Sequence, residues 1–81
     1  MVDLTKLRAD LEANLPPLIA RTEVARYTGG IYSTKTMEVY DCKGLGIPES
    51  ERCRTGRKVV YTKSGFINWL ITKIKEDSEN V

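Results

Sequence analysis

The apolar positions of the chain follow two different periods. Leu4, Leu7, Leu11 and Leu15 recur three or four residues apart, a single stripe that predicts an amphipathic helix over residues 3–14. Asp3 is placed to cap its start. Pro16 and Pro17 end it, because the residue before a proline avoids helical backbone. A helix this short is marginal alone in water, so its leucines must pack on the same chain or on a second copy, and the same chain is the expectation. Leu18-Ile19-Ala20 then leads into a helix predicted over 21–28, with Val24 and Tyr27 inward, which Gly29-Gly30 stops. Ser33 offers a fresh N-cap for a helix over 34–42. On a helical wheel Thr36, Met37 and Tyr40 share its inner face, and Thr34, Lys35, Glu38, Val39 and Cys42 share its outer face.

Lys43-Gly44-Leu45-Gly46-Ile47-Pro48 reads as a loop, and beyond it the period shortens to two. Residues 51–61 predict a β-hairpin turning at Thr55-Gly56, with β-branched and aromatic residues at Val59, Val60 and Tyr61. In that register Arg54 and Arg57 face each other across the strands, which is unfavourable unless an anion lies between them. Thr62 can cap a last helix over 63–75, whose apolar face is Phe66, Ile67, Leu70, Ile71 and Ile74, with Trp69 beside it. A polar tail, 76–81, is expected to fray. Tyr27, Tyr40, Tyr61, Phe66 and Trp69 are assigned to the core. Cys53 is expected to be a small buried hydrophobe in the hairpin, and Cys42 an exposed residue at a helix end. The chain thus divides into an N-terminal helix and linker (1–17), a main domain (18–75) and a tail (76–81), in a mainly α fold with a small β-hairpin.

At 81 residues the chain has room for one domain. It has no histidine, which removes the commonest general base and metal ligand, and its two cysteines form no Cys-x-x-Cys pair. Nothing gathers a nucleophile with paired carboxylates, so no catalytic residue, metal or cofactor is expected and an enzyme is not the reading. No apolar run approaches the roughly 18 residues of a membrane span. Met1 to Thr5 lacks the pattern of a signal peptide, so the expectation is a cytoplasmic protein with reduced thiols. A net charge of +2 hides an uneven distribution. Residues 1–32 carry four basic and four acidic side chains, whereas residues 33–63 carry seven basic and four acidic. The cations are densest at Arg52, Arg54, Arg57 and Lys58, a local cluster able to neutralise several phosphates.

Helix, glycine turn, capped helix and basic hairpin, in that order, is the layout of a winged helix-turn-helix. Over Leu18 to about Leu70 the chain resembles the excisionase-like, MerR-like winged helix proteins of bacteria, phages and integrated elements. Ile19 through Ala25, with Glu23-Val24-Ala25, resembles the family's opening piece and first helix. Ser33-Thr34-Lys35-Thr36-Met37 is similar to its Ser-x-x-Thr-Leu recognition-helix start, with methionine for leucine. Lys43 to Pro48 resembles its Gly-x-Gly-Pro-Pro loop, with Ile47 in place of one proline. Gly56-Arg57-Lys58-Val59-Val60-Tyr61 is similar to the Gly-Arg-Arg-Val-x-Tyr wing, and Phe66 to Leu70 to the closing helix. Three departures stand out. Glu38 puts a carboxylate on the outer face, where it repels phosphate but can accept from a cytosine amino group. Val60 replaces a frequent arginine. Gly65 replaces a helix-favouring acidic residue, weakening that helix start by up to about 1 kcal/mol relative to alanine.

The resemblance implies a winged helix-turn-helix with an extra N-terminal helix that binds double-stranded DNA sequence-specifically. It implies contacts from Ser33, Thr34, Lys35, Glu38, Val39 and Cys42 of the recognition helix and from Arg52, Arg54, Arg57 and Lys58 of the wing. The expected role is a recombination directionality factor of an integrated element, acting with an integrase or with further copies of itself on DNA. Transcriptional regulation of a prophage or mobile element would use the same contacts. A protein-interaction adaptor built on the same fold is the reading of another class, favoured by the leucine helix. No membrane or small-molecule partner is expected.

Overall fold

A computed structural model describes residues 3–79, and for Ser78 and Glu79 the backbone alone. The chain forms α1 (Leu4–Asn14), β1 (Leu18–Ala20), a 3-10 turn (Arg21–Glu23) running into α2 (Val24–Tyr27), and α3 (Thr34–Cys42). A second 3-10 turn (Glu49–Glu51), β2 (Arg52–Thr55), β3 (Lys58–Thr62) and α4 (Lys63–Glu79) complete it. The fold is mainly helical, with one small antiparallel sheet in the order β1-β3-β2.

The capping residues act as their chemistry dictates. Asp3 Oδ1 accepts from the backbone N–H groups of Thr5 and Lys6 at the start of α1, and Ser33 Oγ accepts from Thr36 N–H at 3.1 Å at the start of α3. Thr62 Oγ1 accepts from Gly65 N–H at 3.0 Å and donates to the Glu51 carboxylate, so the second 3-10 turn is tied to the first turn of α4. This contact also gives a reason for glycine at position 65. A Cβ there would collide with the Glu51 side chain, so glycine is the residue that lets the turn and α4 touch.

Leu15, Ile19, Val24, Met37, Ile47, Tyr61, Phe66 and Ile67 form the buried centre, with Tyr32, Trp69, Leu70 and Ile71 around it. Leu4, Leu7 and Leu11 lie half-buried against this core, and α1 packs along α4. The contact is fastened by Arg8 donating to Asn68 Oδ1 at 2.7 Å and Lys63 Nζ donating to the Glu12 carbonyl at 3.1 Å. Tyr32, Tyr40 and Trp69 form an aromatic cluster, its tightest pair an edge-to-face contact of Tyr32 on Trp69 at 5.0 Å. Trp69 Nε1 donates to the Leu45 carbonyl, so the loop after α3 is held to α4. Tyr32 and Ile47 are buried although neither was placed in the core by its spacing.

Four expectations are corrected. The hairpin is one part of a three-stranded sheet, because Leu18-Ile19-Ala20 pairs with Val60, Tyr61 and Thr62 of β3. Glu51 lies in the 3-10 turn, so the hairpin begins at Arg52. Cys53 is exposed rather than buried: it lies on β2, an edge strand of the sheet of which no residue is buried. Finally α4 continues past residue 75 to Glu79, aided by a Lys73–Glu76 pair one turn apart at 4.0 Å; the remainder of the predicted tail, 80–81, lies outside the described residues.

Leu15 sits where the end of α1 meets the core, at 8% exposure. Leu15→Ala should therefore lower stability by about 2–3 kcal/mol, read as a fall in the midpoint of chemical denaturation. Deleting residues 1–15 should likewise lower the melting temperature without changing the number of copies seen by sedimentation; conversion of a dimer to a monomer would show that the leucines serve an interface between copies.

Candidate nucleic-acid interface

The sheet register decides which basic side chains can act together. β2 pairs with β3 as Arg52 with Tyr61, Cys53 with Val60, Arg54 with Val59 and Thr55 with Lys58. The two-residue turn is therefore Gly56-Arg57, one position later than the sequence predicts. Gly56 has φ +64, and no non-glycine residue among the described residues has positive φ, so positive then negative φ across the turn matches type II′, which places glycine first. Arg54 consequently faces Val59 and not Arg57, and the like-charge clash expected between the two arginines does not occur.

The basic residues instead separate into two clefts. Arg57, Lys58 and Val59 line a cleft of about 220 Å3 together with Thr34 and Glu38 of α3 and Ala20, Arg21 and Thr22 of the chain before α2. This cleft brings the exposed tip of the hairpin to the outer face of α3. A second cleft of similar size is lined by Arg21, Glu49, Arg52, Cys53, Arg54 and Val59. Lys35, Val39 and Cys42 are exposed on the outer face of α3 but line neither cleft. Ser33 is also exposed, yet its hydroxyl is engaged with the backbone and side chain of Thr36, so its structural task is the cap.

Arg52 does something the sequence did not reveal. Its guanidinium lies 3.8 Å from the carboxylate of Asp41, whose side chain is only 3% exposed. The same Asp41 Oδ2 accepts from Arg21 Nη2 at 2.7 Å and from the Tyr61 hydroxyl at 2.6 Å, while Arg21 Nε donates to the Tyr61 oxygen at 3.0 Å. One carboxylate thus joins the end of α3, the 3-10 turn before α2, and both strands of the hairpin. Asp41 Oδ1 and Arg52 Nε are buried without a hydrogen-bond partner among the described residues. The Oδ1 side is closed by Gly46, where any Cβ would collide with it. Arg52 is therefore drawn into this network and is not one of the freely presented cations. The only advance signal was an acidic residue on a helix of a basic segment, with no indication of its partners.

The network shifts its members in predictable directions. Burial pushes the Tyr61 hydroxyl up to about 12, with the Arg21 hydrogen bond opposing and the Asp41 hydrogen bond assisting. Arg21 is raised by its hydrogen bonds to Tyr61 and Asp41, against the opposing effect of burial, and stays charged. Tyr32 is raised chiefly by burial, with the nearby charge of Asp77 adding to it. Among the described residues no group of His, Cys, Asp and Glu is arranged to hold a metal ion. No helix of the described residues is long and apolar enough to cross a membrane.

The sequence matches no protein-family model, no curated protein and no solved structure.

Two outcomes follow from the Asp41 network. Asp41→Ala leaves Arg21 and Arg52 facing each other without a counter-charge and should lower stability by about 3–5 kcal/mol, measured by denaturant titration. Tyr61 gains its proton affinity on folding, so the stability linked to it is present below pH 10, the ordinary value, and is lost as pH rises towards about 12. The unfolding free energy should fall through that window, and Tyr61→Phe should flatten the fall without abolishing it, since Tyr32 is raised too.

Proposed function

We propose that the protein binds double-stranded DNA sequence-specifically as a winged helix of the excisionase-like kind. α3 enters the major groove, whose width of about 12 Å admits a helix, and the β2–β3 hairpin lies against the adjacent backbone as the wing. The observation that carries this reading is the shared cleft of Thr34 and Glu38 on α3 with Arg57 and Lys58 on the hairpin. Two elements far apart in sequence present polar and cationic groups to one space, as contact with adjoining parts of a duplex requires. Lys35, exposed beside Thr34, extends the same surface. Arg54 adds a cation in the neighbouring cleft, which Arg21, Arg52 and Glu49 also line.

The role proposed on this basis is that of a directionality factor for excision of an integrated element, working with an integrase or with adjacent copies on DNA. Regulation of transcription from such an element uses the same contacts. Binding sites selected from a random duplex library and located in the source genome separate the two: tandem sites beside an integrase attachment site support excision, and sites overlapping a promoter support regulation.

A protein-interaction role is favoured by a different feature. Leu7 and Leu11 of α1, Tyr27 and Ile31 near the α2–α3 turn, and Leu70 and Ile74 of α4 line an apolar groove of about 500 Å3, with Ile31 74% exposed at its mouth. Ionic strength separates the readings, since DNA binding weakens steeply with added salt and an apolar interface does not.

Arg57→Ala and Lys58→Ala should each weaken selected and scrambled duplexes about equally, because phosphate contacts carry no sequence information. Each should also make the slope of log K against log salt shallower by about one. Lys35→Ala should cost about 1–3 kcal/mol on the selected site and much less on a scrambled one. Unchanged affinity and slope in both hairpin variants would show the hairpin to be a solvated surface.

A further inference from the structure

Glu38 is the anomaly of the α3–hairpin cleft. It is an exposed carboxylate, one helical turn from Thr34, in a space also lined by Arg21, Arg57 and Lys58. Among the described residues it forms no ion pair, although the cations of the hairpin line the same cleft. The other acidic residue of α3, Asp41, has a buried side chain paired with Arg21 and Arg52, so Glu38 is the one acid that α3 presents outward. In a surface built only to grip phosphate, such a group is a liability.

Resting on the DNA-binding reading above, we propose that Glu38 is the specificity-determining residue of α3. Its carboxylate accepts from the exocyclic amino group of a cytosine in the major groove, and it penalises duplexes that present no such donor there. A carboxylate can only accept, and the sole donors on the major-groove edges are the amino groups of cytosine and adenine. Adenine carries the N7 acceptor directly beside its amino group, which repels a carboxylate, whereas the cytosine edge carries no second acceptor in that groove. Guanine and thymine present acceptors alone, apart from the thymine methyl. Lys35 lies three residues away on the same exposed face, suited to donate to guanine O6 and N7. On a mismatched duplex the carboxylate meets acceptors or phosphates with no compensating bond, and repulsion lowers non-specific affinity. Glu38 therefore acts in two directions at once, adding affinity at one base and subtracting it elsewhere.

The test is selection of binding sites from a random duplex library by the wild-type protein, Glu38→Gln and Glu38→Ala. Each protein is also titrated against a scrambled duplex at low and high salt. The expected result is one cytosine position in the wild-type motif that becomes indifferent in Glu38→Ala. In Glu38→Gln that position relaxes or turns toward adenine, which a glutamine amide reads in both directions. Discrimination at that position should fall on the order of tenfold. Affinity for the scrambled duplex should rise several-fold in both variants at low salt, a gain that shrinks at high salt as the repulsion is screened. Both variants should melt at the wild-type temperature, as the side chain is exposed and unpaired. The same motif at the same strength in all three proteins overturns the proposal while leaving DNA binding intact. So does a lost preference for a base other than cytosine. Failure of the wild-type protein to enrich any duplex, with no salt-dependent binding to the scrambled one, overturns the DNA-binding reading itself.

Discussion

A single buried carboxylate ties the outer helix of this domain to its hairpin. Asp41 ends α3 from inside the fold and takes hydrogen bonds from Arg21 and Tyr61, with Arg52 as a further counter-charge. These four residues lie on α3, the turn into α2, β3 and β2, so the outer helix and the hairpin cannot rotate independently without breaking charged contacts. A buried charge is a weak source of net stability, because removing it from water costs about as much as its pairing returns. What the arrangement gives is geometry. An apolar cluster at the same place tolerates sliding, whereas short directional bonds converging on one oxygen do not.

The same network sorts the basic residues into two populations. Arg52 and Arg21 are consumed by Asp41, and Lys63 donates to the backbone of α1. Lys35, Arg54, Arg57 and Lys58 stay exposed and make no ion pair among the described residues. The positive segment of the sequence is thus less cationic at its surface than its composition suggests, and its free charges sit on α3, at Lys43 just beyond it, and on the hairpin. The proposed DNA contact calls for charge that is concentrated rather than abundant, because a few positions must register with a regular array of phosphates.

Features fixed by neighbouring residues were legible in the sequence. The leucine stripe of α1, the caps at Asp3, Ser33 and Thr62, and the inward Met37 all follow from spacings of a few residues, and each is where that spacing puts it. Features fixed by distant residues were not. β1 is only three residues long, and nothing in Leu18-Ile19-Ala20 announces a partner strand some forty residues later. Ile47 lies in a glycine-rich loop, where burial is decided by what α4 places opposite. Arg21 and Asp41 are twenty residues apart, with no periodicity to link them. The misplaced turn had a local signal: glycine belongs at the first central position of a type II′ turn, so Gly56 pointed to a Gly56-Arg57 turn. That one-position shift moved Arg57 away from Arg54 and into the cleft facing α3, which alters the chemistry assigned to both.

The N-terminal helix bears on the same surface indirectly. α1 packs along α4, and α4 in turn carries Trp69, which meets Tyr32 before α3 edge-to-face and Tyr40 within it at a tilt. Tyr40 precedes Asp41, so α3 is gripped on one side by aromatic contacts to α4 and at its end by the charged network to the hairpin. A chain of 81 residues has few ways to hold a nine-residue helix firmly while leaving one face in solvent. Short helices gain little from their own backbone bonds, and most of their stability comes from tertiary packing. Here that packing comes from the inner face of α3 alone, through Met37, Tyr40 and Asp41. The outer residues Thr34, Lys35, Glu38, Val39 and Cys42 are thereby freed from structural duty, so substitutions among them can alter what the helix contacts without altering how it is held.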